Sequence, residues 1–149
     1  MKATALRIGN YVFDCEGYVD KVTAIITPQI DNEKNCYPWL RGTTAIMLDN
    51  FVGAHNVDAI DPIPLSEEWL LKFGWIWNDE CNSYEKYPNG DARMNLSYHS
   101  INNSYTMFNY VLKATIVERI WYAHQLQNIY FALTGYELEL QNNSIRTSI

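Results

Sequence analysis

The stretch Ile60-Asp61-Pro62-Ile63-Pro64-Leu65-Ser66-Glu67-Glu68-Trp69-Leu70-Leu71-Lys72-Phe73-Gly74 separates two kinds of sequence pattern. Each proline fixes its own φ and biases the residue before it toward extended backbone, so Ile60 to Leu65 reads as a stiff connector. Ser66 then stands where a helix N-cap belongs. Glu67 and Glu68 in the first turn complement the positive end of the helix dipole, and Leu65 at N′ is placed to staple onto Leu70 at N4. These signals predict a short helix over Glu67 to Phe73, ended by Gly74 in the left-handed conformation that a side chain disfavours.

Upstream of the connector the pattern is β. Leu6 to Asp14 carries Ile8, Val12 and Phe13, Glu16-Gly17 supplies a turn, and Tyr18 to Thr27 holds the β-rich run Val22, Thr23, Ile25 and Ile26, which together predict a hairpin. Pro28 to Lys34 reads as a loop. Tyr37 to Arg41 and Thr43 to Asp49 read as short strands around Gly42, and Phe51 to Ile60 as one more. A set of short strands of this kind implies a small barrel or a strongly bent sheet.

Downstream the chain returns to strands: Trp75-Ile76-Trp77, Ser83 to Tyr87, a turn at Pro88-Asn89-Gly90-Asp91, and Ala92 to His99. In the last of these Met94, Leu96 and Tyr98 alternate with Arg93, Asn95, Ser97 and His99, the period-two signature of a half-buried strand. Asn102-Asn103 offers a further turn before Ser104 to Tyr110, and Leu112 to Arg119 extends the meander. From about Ile120 to Thr134, Tyr122, Leu126, Ile129, Tyr130 and Leu133 recur at helical spacing, with Gly135 where the helix should stop. Tyr136 to Leu140 reads as a short strand and Gln141 to Ile149 as a polar tail. The expected fold is α+β and antiparallel β-rich: small barrel-like N-terminal strands, a connector helix, a β-meander and one C-terminal amphipathic helix. It is read as one domain over 1–149, with sub-regions 1–61, 62–140 and 141–149.

Composition narrows the function classes. At 149 residues, 48% hydrophobic and 19% charged, the chain lies within the globular range. A net charge of -6 opposes long-range attraction to a phosphate backbone, so broad nucleic-acid binding is not expected. No apolar run approaches the roughly 20 residues of a bilayer-crossing helix, so no membrane span is expected. Cys15, Cys36 and Cys81 form no C-x-x-C pair and have no histidine at zinc-ligand spacing, which points to neither a disulfide framework nor a zinc site; with no secretory leader pattern at the amino terminus, the expected setting is a reducing host-cell cytoplasm.

Three stretches carry a resemblance: Leu6-Arg7-Ile8-Gly9-Asn10-Tyr11-Val12, Ile63 to Gly74, and His124-Gln125-Leu126-Gln127-Asn128-Ile129-Tyr130-Phe131-Ala132-Leu133-Thr134-Gly135. Together and in this order they resemble uncharacterised small proteins encoded by phages and mobile elements of Bacteroidetes, with residues 28 to 60 and 78 to 115 outside the likeness. The resemblance implies a phage or mobile-element origin and brings no catalytic residues with it.

The chain has no glycine-rich phosphate loop, no G-x-S-x-G, no H-E-x-x-H and no calcium loop, so no catalytic residue, cofactor or metal site is expected from motifs. Two groups remain as candidate ligand-binding residues. His124, Gln127 and Asn128 stand at i, i+3 and i+4 and share a side of the last helix, expected to lie away from Leu126 and Leu133; they can read a ligand's edge or, as buried amides commonly do, satisfy strand-edge backbone. Trp75 and Trp77 fall on one face of the predicted strand, with Tyr84 and Tyr87 following, so they form an aromatic wall or core packing within a chain that is 14% aromatic. The expected function is a non-enzymatic binding protein in host-defence evasion, sequestering a small nucleotide-like immune signal of the host. The alternatives are a module docking on a host or phage protein and a hydrolase built from dispersed acids and histidine. Aromatic anchors with few charges also predict a homo-oligomer.

Overall fold

A computed structural model describes residues 5–27, 43–88, 93–109 and 112–141. The loop expected at Pro28 to Lys34, the strand at Tyr37 to Arg41, the Asn89-Gly90 turn and the tail after Gln141 lie outside the described residues. The fold is α+β, with one antiparallel sheet of four strands and one of five. The chain divides into two compact units, Met1–Ile63 with Tyr122–Asn128 and Pro64–Trp121 with Ile129–Ile149.

In the first unit β1 (Tyr11–Phe13), β2 (Val19–Ile26), β3 (Ala45–Leu48) and β4 (Ala54–Asn56) follow one another across the sheet. Asp14 builds the first turn: its Oδ1 accepts from the backbone N–H of Glu16 at 2.9 Å and of Tyr18 at 2.8 Å, while Gly17 takes a φ of 86°. Strand alternation turns Val12 and Val22 inward, where they join Leu6, Ile46, Leu48, Val57 and Ile60 in one apolar cluster. Each such side chain contributes on the order of 1.5 to 3 kcal/mol through burial. β4 is shorter than the expected Phe51 to Ile60. The Asn56 side chain accepts from the Asp58 N–H at 3.0 Å and starts a single 3-10 turn, Val57–Ala59, which diverts the chain. Asp61 then exchanges backbone hydrogen bonds with Phe13 at 2.9 and 3.0 Å, giving the outer edge of β1 a partner.

The second unit opens with α1 (Glu67–Lys72). Ser66 has the extended conformation of an N-cap, but its hydroxyl makes no capping hydrogen bond, so the acidic first turn rather than the serine side chain answers the dipole. At the other end Gly74 adopts a φ of 75°, and Lys86 Nζ donates to the Phe73 carbonyl at 2.8 Å, satisfying one of the helix's terminal acceptors. A meander follows: β5 (Ile76–Asn78), β6 (Ser83–Lys86), β7 (Met94–His99), β8 (Ser104–Asn109) and β9 (Ala114–Ile120). Ile120 pairs with Tyr105 on β8, so the strand takes the residue expected to begin the last helix, and α2 runs over Ala123–Thr134 to a left-handed Gly135. Tyr136 to Leu140 forms no strand; Leu138 is buried, and the Gln141 N–H donates to the Lys72 carbonyl at 2.8 Å.

The polar side of β7 is exposed at His99 and half-buried at Ser97, but Asn95 on the same side is buried. Asn95 is only 2% exposed. Its Nδ2 donates to Ser83 Oγ at 2.9 Å and to Glu85 Oε1 at 3.1 Å, so hydrogen bonds on β6 offset the burial of the amide.

Candidate functional site

On α2 two members of the expected apolar face, Leu126 and Tyr130, are buried, but polar residues are buried with them. His124 and Gln127 are buried beside Leu126, whereas Leu133 is exposed. Gln127 is satisfied there: Oε1 accepts from the Tyr11 N–H at 2.9 Å, and Nε2 donates to the Gly9 carbonyl at 3.1 Å. The amide therefore completes the backbone hydrogen bonding of the first strand, and at 1% exposure it offers no free edge to a ligand. Asn128 works alongside it, with Oδ1 accepting from Asn10 Nδ2 at 2.9 Å and from Arg7 Nε at 3.4 Å, and Nδ2 donating to the Ala5 carbonyl at 3.0 Å. The motif thus clasps the segment Ala5 to Tyr11. His124 stacks on Tyr122 at a ring separation of 5.7 Å, and burial lowers its pKa to about 4, so its imidazole is neutral at pH 7. Its Nδ1 has no hydrogen-bond partner.

The aromatic candidates separate as well. Trp75 precedes β5, bonds its backbone N–H to the Leu70 carbonyl at 2.9 Å, and is 1% exposed, so it belongs to the core. Trp77 lies on β5 directly opposite Tyr84 and is 40% exposed. The pair Trp75 and Trp77 therefore does not make one wall. Instead a row of rings crosses one face of the five-stranded sheet: Trp77 meets Tyr84 edge-on at 4.9 Å, Tyr84 meets Tyr105 at 6.4 Å, and Tyr105 meets Tyr98 at 5.2 Å. The middle of the row is buried and its two ends emerge, Tyr98 being 49% exposed.

Both exposed rings are held. Trp77 Nε1 donates to Asp79 Oδ1 at 2.7 Å, and the Tyr98 hydroxyl bonds Asn103 Oδ1 in the turn after β7, where Asn103 takes the left-handed conformation that asparagine tolerates. Trp121 joins this end, its Nε1 donating to the Asn102 carbonyl at 3.3 Å. Burial, reinforced by a hydrogen bond with the Glu67 carboxylate, pushes the Tyr84 phenol up to about 12; burial also raises Tyr105, with Tyr98 and Glu67 adding to it. Both phenols are therefore neutral hydrogen-bonding groups at pH 7.

On the opposite face is a polar cluster that the sequence reading missed. Glu85 Oε1 accepts from Asn95 Nδ2 and from the Arg93 guanidinium, Oε2 accepts from the Tyr87 hydroxyl at 3.1 Å, and Arg93 also reaches Cys81 Sγ at 2.8 Å. The signal was present as Ser83 and Glu85 on β6 and Tyr87 just after it, at period two, with Arg93 just before β7 and Asn95 on it. It is the same alternation that ordinarily marks a solvated face. The cluster ties adjacent strands together through an ion pair whose carboxylate is buried and whose guanidinium is partly exposed.

Among the described residues no group of three His, Cys, Asp or Glu side chains is placed to hold a metal ion, and no helix is long and apolar enough to cross a membrane. Compared with known protein families, curated proteins and solved structures, the chain has no match in any of the three.

Proposed function

We propose that this protein is a non-enzymatic binding protein that docks on a partner polypeptide through the aromatic row ending in Trp77 and Tyr98. One observation carries the reading: two exposed rings are fixed by Asp79 and Asn103 and backed by the buried rings of Tyr84 and Tyr105. Rings immobilised before contact lose little rotamer freedom on binding, which is the economy that interface anchors depend on. The resemblance to phage and mobile-element proteins directs the search to a host or phage protein met in the host cytoplasm. Sequestration of a nucleotide-like signal is the second reading, favoured by the same stacking surface and opposed by the carboxylates of Glu67 and Asp79 beside it, which repel phosphate.

Native mass spectrometry of the protein purified from its host tests both. The expected result is a retained polypeptide that is lost from the Trp77→Ala and Tyr98→Ala variants while both still fold. A retained mass of a few hundred daltons lost from the same variants replaces protein docking with the small-ligand reading. Retention unaffected by either variant, or association only with further copies of the chain, overturns the proposal.

A further inference from the structure

The Trp77 end of the row lies on β5, the edge strand of the sheet among the described residues, and has a distinct charge. Asp79, which holds the indole, is exposed, and Glu80 beside it is exposed with its backbone N–H tied to Asn78 Oδ1 at 2.9 Å. Glu67 is exposed in the first turn of α1 and lies close enough to act on Tyr84 and Tyr105. Among the described residues none of these three carboxylates has a cation within ion-pair distance. Lys72 is engaged with Glu68 and over the Trp69 ring at 5.0 Å, Lys86 with the end of α1, and Arg93 with Glu85. An indole 40% exposed with an uncompensated carboxylate bonded to its N–H, on a chain of net charge -6, is complementary to a cation with a flat face.

Resting on the docking function above, we infer that the occupant of this edge is a basic segment of the partner, with an arginine side chain stacked on Trp77 and paired with Asp79. The guanidinium suits both demands at once, because it is planar for the indole and presents parallel N–H donors to a carboxylate. Asp79 has two duties: its Oδ1 orients the indole, and the carboxylate's remaining acceptor positions are left for the incoming donors. A phosphate-bearing ligand meets the opposite electrostatics at the same ring.

The test uses the whole protein and the capped tripeptide acetyl-Ala-Arg-Ala-amide, following the indole N–H resonance of Trp77, assigned with the Trp77→Phe variant. The expected result is a saturable shift at millimolar peptide, about threefold weaker in Asp79→Asn, the size of effect one exposed ion pair supplies. It also weakens on raising the salt to 0.5 M and is absent with the citrulline analogue, which keeps the shape and loses the charge. An equal response to citrulline, or no response to arginine in a folded protein, overturns the inference; so does a stronger response to adenosine 5′-monophosphate. The broader reading fails separately. Partner retention that needs Trp77 but is indifferent to Asp79→Asn and to salt leaves the docking surface standing and removes only the basic occupant.

Discussion

Gln127 supplies both an acceptor and a donor to the backbone of the amino-terminal segment. Leucine has a similar volume and neither polar atom, so Gln127→Leu removes the acceptor for the Tyr11 N–H and the donor to the buried Gly9 carbonyl. The expected loss is about 2 to 3 kcal/mol in urea unfolding, and a loss below about 0.5 kcal/mol would show that the clasp is dispensable. His124 makes a prediction about pH. Its folded-state pKa near 4 lies below the ordinary 6.5, so between these values the unfolded chain binds more protons than the folded one. Stability from this group is complete above pH 6.5 and falls as the pH drops toward 4, by on the order of 2 kcal/mol. Replacing it with glutamine should flatten that part of the curve; an unchanged pH dependence of the urea midpoint would remove His124 as its cause. The i, i+3, i+4 grouping of His124, Gln127 and Asn128 was legible in the sequence. Its target was not, since Tyr11 is 116 residues away from Gln127 and a hydrogen-bond partner at that distance leaves no local trace.

The elements divide by how local their causes are. α1 was readable almost to the residue, because the prolines, the acidic first turn and Gly74 each act within one turn of where they stand. Gly74 permits a direct check. Its φ of 75° is strained for any L side chain, and a Cβ there would run into the Gln141 side chain and come within 3.1 Å of Lys86 Nζ. Gly74→Ala should therefore lower stability by about 1 to 2 kcal/mol, with Gly74→Asn milder because asparagine enters the left-handed region more easily; equal stability of alanine and glycine proteins in a urea titration would contradict the strain argument. β7 was located correctly, and of its polar side only the burial of Asn95 was not legible. Its alternation told which residues share a side, yet whether a side is wet depends on what lies across from it. Ser83 and Glu85 on β6 made it a place for Asn95 to be buried. The aromatic row has the same origin: Trp77 and Tyr84 were flagged, but Tyr105 and Tyr98 enter only through the register of β7 on β8.

At the scale of the whole chain, the break between patterns at the double proline coincides with a boundary of the structure, which falls between Ile63 and Pro64. The return of Tyr122–Asn128 to the first unit had no counterpart in the sequence pattern, because a helix advertises its own period and not the strand it will serve. That return bears on how the protein is made. A ribosome emits Gly9 and Tyr11 early and Gln127 late, and at roughly 5 to 20 residues per second the 63 residues from Pro64 to Leu126 take about 3 to 13 s to add. For that interval the amino-terminal strands stand in the cell with the Tyr11 N–H and the Gly9 carbonyl waiting for their amide. The first-made strands of this protein complete their hydrogen bonding only with the last-made helix.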